Sequence, residues 1–291
     1  MNTKWQNIDE PMTPDGPLST RCDHKRSIIL NADDFGWSTH TVDATIACFE
    51  QGVLSSATIM PGMPAFQRAA EFAVTHPEFS FGLHLCLTDE LPVSSPASIP
   101  SLVDATGHLL PTNVFWRKAF SFQLSAREIA IETHAQLQCL LDAGIVPSHL
   151  DGHGHIHKAP QVISILPAIR KSVGIKAIRR TQDVYYPRNI SLSGTMLNLC
   201  MYPFLRRGMV TTDHFLMYTG RLRTTDEHWW RKSIQALPPG ITEIAFHPGW
   251  DEEAWRTMET MPILHDHGLV LSHEGITILN YRDLINKSLA I

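Results

Sequence analysis

Short apolar runs alternate with stretches of helical spacing along most of the chain. RSIILNA (26–32) is β-branched and almost continuously apolar, as a strand buried on both faces should be. Residues 41–51 then place Val42, Ile46 and Phe49 at helical intervals and stop at Gly52. SSATIM (55–60) predicts a second strand, followed by a helix over about 64–74, and FSFGLHL (79–85) predicts a third. Ser125 and Glu128 have the spacing of a capping box ahead of a long helix carrying Ile129, Leu137, Leu140 and Leu141, which stops at Gly144. VPSHLD (146–151), IKAIRR (175–180), a weaker run at 209–215, TEIAFH (242–247) and ITILNY (276–281) bring the series to about eight strands. Helical patterns near 159–172, 195–207 and 226–236 separate the later ones.

Such alternation over about 260 residues implies an α/β fold with parallel pairing and right-handed crossovers. Eight units are the size of a (β/α) barrel, and a doubly wound open sheet competes with it. No G-x-G-x-x-G opens a helix, so the dinucleotide-binding form of the open sheet is unsupported. Residues 26–291 contain no repeat and no low-complexity linker, and read as one domain. Within it, residues 89–124, rich in Pro, Ser and Thr, fit no βα unit and read as a loop insertion, a candidate lid. The first 25 residues are polar, hold three prolines and lack an apolar h-region, so they read as a flexible leader and not a secretory signal.

Composition narrows the function classes. The 291 residues are 43% hydrophobic and 18% charged, with a formal charge of −5, and no basic stripe points to nucleic acid or an anionic membrane surface. No apolar run is long enough for a membrane helix. The five cysteines (22, 48, 86, 139 and 200) are odd in number and scattered, with no C-x-x-C pair. That argues against a disulfide framework and a thiolate zinc site, and predicts a cytoplasmic protein. Any metal is expected to be held by His and carboxylate.

Polar residues interrupt the apolar strands at matching points. Asn31-Ala32-Asp33-Asp34 ends the first strand and His84 the third. Asp151 and His153 end the fourth, Arg179 and Arg180 the fifth, and His247 the seventh. In a barrel all of these lie on the C-terminal face, where the βα loops build active sites. Adjacent carboxylates after a strand point in different directions, so one can serve a metal and the other a water; a lone Asp-Asp is otherwise a helix cap or Asx turn. A single strand histidine such as His84 is commonly a packed core residue, and only its alignment with the other strand ends argues for a ligand. His247 precedes a Pro-Gly turn and titrates near neutrality, which suits a general acid. Trp37 and Trp250 flank these motifs as pocket walls or as ordinary packing.

HLDGHGHIH (149–157) is the densest cluster: sixteen histidines spread evenly over 291 residues would leave about half of one in nine positions. In an extended chain residues 149, 151, 153, 155 and 157 share one face, with about 6.6 Å between neighbours on it. Metal–ligand bonds of about 2 Å then restrict one ion to one or two neighbours, unless the segment coils. Asp151 is a candidate partner for a ligating histidine of this run, with His155 and His157 candidates for lining the pocket or orienting their neighbours.

Taken together, ILNADDFGWS, GLHLCLT, PSHLDGHGHIH and EIAFHPG, in this order, resemble the YdjC-like (ChbG/HpnK-type) carbohydrate deacetylase family over residues 27–285. The resemblance implies a distorted, TIM-type (β/α) barrel of about seven to eight parallel strands and hydrolysis of the N-acetyl group of an amino sugar or sugar conjugate. It implies one divalent metal ion on Asp34, His84 and His153, with Asp33 as general base and His247 as general acid. Mg or Zn is expected, with Mn or Co also suited to N/O ligation. Arg179 or Arg180 is expected to hold a substrate group or to orient Asp33. A homodimer is implied by the resemblance alone. Some members read D-S-H-H-H-V-H where this chain reads D-G-H-G-H-I-H, so any role of that middle histidine is vacant, and Trp37 stands where Leu is more usual. The competing readings are a metal-dependent hydrolase of a non-sugar amide or a phosphoester, and a carbohydrate-binding protein on an inactive barrel.

Overall fold

β1 (Arg26–Phe35) is the axis of the structure, buried from Ser27 onward. Its period-2 alternation sorts residues between two cores. Ile28, Leu30 and Ala32 join the large core that includes the surrounding helices, whereas Ile29 joins a small cluster with Ala177, Leu279, Tyr281 and Leu284. Asn31 and Asp33 continue the Ile29 side, which changes from apolar to polar toward the C-terminal end of the strand. The computed structural model describes residues 26–184, 192–218, 229–250, 254–273 and 275–290. The leader expected over 1–25, and the first three positions of the helix expected at 226–236, lie outside them.

The chain alternates strand and helix as expected: α1 (Thr39–Glu50), β2 (Ser56–Ile59), α2 (Phe66–Thr75), β3 (Ser80–Leu85), α3 (Thr112–Phe120), α4 (Ala126–Asp142), β4 (His149–Gly152), α5 (Pro160–Val173) and β5 (Ala177–Ile178). There follow α6 (Leu192–Leu205), β6 (His214–Met217), α7 (Trp229–Gln235), β7 (Gly240–Phe246), α8 (Ala254–His273), β8 (Thr277–Ile278) and α9 (Tyr281–Leu289). The sheet order is β5-β4-β3-β2-β1-β7-β6, and every strand pair is parallel. Single bridges from Ala177 to Val210 and from Val184 to Leu216 link the two ends, so the sheet curls into a barrel-like wall. β8 does not enter between β7 and β1. It pairs only with Ser27 and Ile28, and the ring is built of seven strands.

Three helices, α3, α8 and α9, were not expected from the pattern, and residues 276–281 contribute two strand residues where six were expected. Asn280 caps α9 by accepting from the Asp283 amide, which is why the chain turns helical there. Ser125 caps α4, but the reciprocal half of the expected box is absent: the Glu128 carboxylate accepts instead from the Ser101 amide at 2.6 Å. Glu132, one turn on and fully buried, accepts from the Val93 and Ser94 amides, each at 2.9 Å. The stretch 89–124 is thereby pinned to α4. It carries α3, a Val103–Leu109 bridge and buried Ile99, Leu102 and Phe115, which is more structure than a loop provides.

Candidate active site

The strands deliver their polar ends into a pocket of about 520 Å³ on the C-terminal face. Asp33, Asp34, His84, His153 and His247 all line it. The adjacent aspartates diverge because β1 breaks register with β2 between Ala32 and Phe35, and Asp34 takes a left-handed backbone conformation with φ 60°. Aspartate tolerates this conformation better than most residues, and such local distortions concentrate at functional sites. Asp33 consequently faces into the barrel and Asp34 faces the histidines.

Asp34 Oδ1 lies 3.2 Å from His84 Nε2 and 3.2 Å from His153 Nδ1, while Oδ2 accepts from Arg256 at 2.8 Å. The three ligand atoms fall within 4.8 Å of one another. This is a one-carboxylate, two-imidazole set, with the carboxylate's second oxygen already engaged. His84 is oriented from behind. Parallel register places His84 beside Asp151 on β4, and Asp151 Oδ1 lies 2.7 Å from His84 Nδ1, leaving Nε2 to face the pocket. Thr58 on β2 adds contacts to His84 Nδ1 at 3.2 Å and to Asp151 Oδ2 at 3.0 Å. Asp151 therefore supports His84, not His153 as expected: the two strands carrying His84 and Asp151 are neighbours, and His153 has already left the strand. A carboxylate behind a ligating histidine is the usual way its orientation and basicity are set.

Asp33 is held by Arg179, whose Nη1 and Nη2 donate to its two oxygens at 2.7 and 2.6 Å, and by Asn31 Nδ2 at 3.0 Å. The Arg179 side chain is fully buried and also reaches Asp151 Oδ2 at 2.7 Å and Glu243 Oε1 at 2.8 Å. Of the roles expected for the arginine pair, Arg179 orients Asp33. Arg180 points elsewhere: it pairs with Asp183 at 3.0 Å and lies 3.7 Å from the Tyr202 ring centroid. A second donor group, Asp33, His84 and Asp151, also converges, but the Arg179 guanidinium bonds both of its carboxylates. That guanidinium bridges both carboxylates, whereas Arg256 takes only one oxygen of Asp34, so the Asp34 group is the candidate for a metal ion.

HLDGHGHIH is extended only as far as Gly152 and then coils into a 3₁₀ turn at His153–Lys158, with Gly154 and His155 both left-handed at φ 58°. The alternate-face geometry expected of an extended run fails beyond that point. His149 is buried, stacked at 3.6 Å on Tyr281 and 3.2 Å from Asn31 Oδ1. His153 and His155 line the pocket, and His157 is buried behind His155, with ring centroids 6.1 Å apart.

His247 follows β7 and is anchored by α8: the Glu259 carboxylate accepts its backbone amide at 2.7 Å and lies 3.2 Å from Nδ1. Burial disfavours the imidazolium, but Glu259, with Asp34 and Asp33 adding to it, outweighs burial and raises the His247 pKa above its ordinary value. In His84 burial is likewise overcome, chiefly by Asp151 and then by Asp34 and Asp33, and the pKa is pushed up to about 10. Burial opposes the ionised forms of Asp33 and Asp34 too, yet Arg179 holds Asp33 far below the usual carboxylate range, and His153, His84 and Arg256 do the same for Asp34. Four carboxylates, Asp33, Asp34, Asp151 and Glu243, thus surround two guanidiniums, Arg179 and Arg256. This excess of carboxylates contributes to the raised pKa of His84, and a divalent ion at the Asp34, His84 and His153 donors would take the place of the His84 proton.

Trp37 lines the pocket, and its ring centroid lies 4.4 Å from the Arg256 guanidinium. Trp250 lines an adjoining cavity. Sequence reasoning missed Arg256, Glu259, Thr58 and Tyr281, which donates to Glu243 at 2.6 Å. It also missed Asp89, Glu90 and Thr112, which bring the 89–124 stretch to the pocket. Only Glu243 carried a signal, a charge within the apolar run TEIAF.

Fold and pocket define an α/β barrel-like protein that gathers aspartates, histidines and a candidate cation site on its C-terminal face. The chain belongs to the YdjC-like protein family, which it matches over residues 27–276. A carbohydrate deacetylase of Geobacillus stearothermophilus is 35% identical over 270 residues, covering 89% of this chain and 98% of that protein. One from Vibrio parahaemolyticus is 31% identical, covering 90% and 97%. A chitooligosaccharide deacetylase of Serratia marcescens is 34% identical over 152 residues, covering 52% of this chain and 58% of its own. A solved Enterococcus faecalis protein shares the fold, with a TM-score of 0.69 at 23% identity, covering 89% of this chain and 99% of its own.

Proposed function

We propose that this protein is a metal-dependent deacetylase that hydrolyses the N-acetyl group of an amino sugar or its conjugate and releases acetate. The observation that carries the proposal is the meeting of Asp34, His84 and His153 within 4.8 Å in a pocket also lined by Asp33 and His247. The deacetylase relatives, aligned over nearly their full length, support the sugar amide as substrate.

Asp34 Oδ1, His84 Nε2 and His153 Nδ1 would hold one divalent ion, Mg or Zn by preference. Bound there, it would acidify a water toward pKa about 7 and polarise the amide carbonyl. Asp33 accepts the water's proton. Its low pKa keeps it ionised at neutral pH, and Oδ2 retains a free acceptor site beside its arginine bond, whereas Oδ1 is taken up by Arg179 and Asn31. His247, whose pKa Glu259 raises, donates a proton to the departing nitrogen, since an amine anion is a very poor leaving group. Arg179 and Arg256 hold the two aspartates in place. A phosphoesterase with two metals is disfavoured because Arg179 occupies the centre of the second donor group.

The test is acetate release from a panel of N-acetylated sugars by metal-loaded protein, its loss with a chelator and its return with added metal. No acetate from any sugar at full metal occupancy refutes the proposal. A cytoplasmic location and a homodimer complete the proposed picture. Cysteine usage supports the first and the family resemblance the second, and light scattering measures the dimer. Among the described residues no helix is long and apolar enough to cross a membrane.

A further inference from the structure

Tyr281, the first residue of α9, enters the barrel from the end opposite the pocket. The neighbouring Arg282 amide donates to Ser80 Oγ, at the start of β3, at 3.1 Å, and the Asn280 side chain donates to the Glu78 carbonyl at 3.3 Å. The Tyr281 side chain is fully buried in the small inner cluster with Ile29, Leu279 and Leu284. Its hydroxyl and its ring each begin a chain of contacts. Both chains end on the Asp33 carboxylate.

The first chain starts at the hydroxyl, which donates to Glu243 Oε2 at 2.6 Å, and Glu243 Oε1 accepts from Arg179 Nε at 2.8 Å. A guanidinium is planar, so a bond at Nε fixes the rotation of the whole fork and aims Nη1 and Nη2 at the two Asp33 oxygens. The second chain starts at the ring, which stacks on His149 at 3.6 Å, and His149 Nε2 lies 3.2 Å from Asn31 Oδ1. The Asn31 amide nitrogen donates to Asp33 Oδ1 at 3.0 Å, which turns its oxygen toward the imidazole, so Nε2 carries the proton and donates. All of these groups are buried, and water does not compete for their bonds. The chains load the two oxygens of Asp33 unequally. Arg179 engages both, Asn31 adds a second donor to Oδ1 alone, and Oδ2 is left to accept from a water.

We propose that Tyr281 is a positioning residue for the reaction: from the far end of the barrel it fixes, through Glu243 with Arg179 and through His149 with Asn31, the direction in which Asp33 presents Oδ2. The proposal rests on the deacetylase reading for the role of Asp33 as base. Apolar packing alone would be served by phenylalanine, since a hydroxyl adds nothing to the contacts with Leu279 and Leu284. The bond to Glu243 is what tyrosine supplies, and it holds the fork that holds the base.

Tyr281→Phe keeps the ring on His149 and removes the bond to Glu243. In the full metal-loaded chain, assayed well below its unfolding temperature, kcat for acetate release should fall about five- to fiftyfold, within the hundredfold that a small misplacement of a reacting group can cost. KM should stay within about twofold, since Asp33 acts on the water and not on sugar binding, and metal content should be unchanged. On a Glu243→Gln background, where the next link is already weakened, Tyr281→Phe should cost less than about twofold more. His149→Phe breaks the second chain and should show the same loss in kcat at constant KM, so a folding failure of the first variant leaves the test intact. A kcat within about twofold of wild type in Tyr281→Phe, even with lowered thermal stability, would reduce Tyr281 to packing and overturn the proposal; so would a loss that adds in full to that of Glu243→Gln. If the wild type releases no acetate from any sugar, the deacetylase reading fails by itself, and the crystal structure of Tyr281→Phe then decides the positioning. A rotated guanidinium that gives up an Asp33 oxygen upholds it, and an unmoved fork refutes it.

Discussion

Replacing Glu259 by glutamine removes one charge from the back of His247 and keeps the size of the side chain. The amide oxygen can still accept from the His247 backbone, as the carboxylate does at 2.7 Å, and from a protonated Nδ1 3.2 Å away. Both side chains are shielded from water, Glu259 fully and His247 to 17% exposure, so solvent screening is small. Bare Coulomb attraction at 3.2 Å is about 5 kcal/mol at an effective dielectric of 20, an upper bound. Glutamine retains the neutral part of the hydrogen bond, and burial of the imidazolium opposes the rest. The remaining charge contribution is about 1.5–3 kcal/mol, the range of a hydrogen bond to a charged group. The sign follows from the role. His247 acts as an acid, so the rate is full where it is protonated and falls as pH rises through its pKa. Glu259 raises that pKa and carries the active window upward; Glu259→Gln should move the basic limb of kcat/KM to lower pH, with the low-pH plateau kept within a few-fold. The measurement is acetate release across pH 5–10 with metal content followed in parallel. A uniform loss at every pH with an unmoved limb would refute the assignment of His247 as the acid tuned by Glu259.

Three further substitutions probe other parts of the site. Asp33→Asn should retain the metal by elemental analysis while acetate release falls by at least about a hundredfold, the scale of a lost general base; His153→Ala should lose the metal itself, and a metal-free Asp33→Asn protein would reverse the assignment. Arg179→Ala leaves Asp33, Asp151 and Glu243 facing one another without their shared cation, and urea denaturation should show a loss of about 3–5 kcal/mol; a loss below about 1 kcal/mol would show that the carboxylates do not depend on it. Gly82→Ala would place a Cβ 2.7 Å from the His149 ring and from its carbonyl oxygen, displacing the ring from Tyr281 and Asn31. Unfolding measurements should report about 1–3 kcal/mol lost, and an unchanged stability would mean that β3 and β4 are free to separate there.

Much of this was legible in one dimension because strand periodicity is a local property. The apolar run 26–32 announces a doubly covered strand, and the same period of two puts Ile29, Asn31 and Asp33 on the barrel's inner side. Parallel strands then gather their ends on one face, which is why Asp33, Asp34, His84, His153 and His247 meet although more than 200 residues apart in the chain. Backbone choices inside the motifs were not legible. The register break at Asp34 and the left-handed pair Gly154-His155 depend on what packs around them, and they decide which oxygen and which ring face the pocket. Contacts between distant elements were hidden as well. Asp151 serves His84 because β3 and β4 are in register, Arg179 gathers three carboxylates from β1, β4 and β7, and Arg256 and Glu259 arrive on a helix whose sequence carries no motif. Residue types along a strand state which chemistry is available. Register, burial and the partners brought in from other strands and helices assign each group its charge and its direction, and those are properties of the folded arrangement.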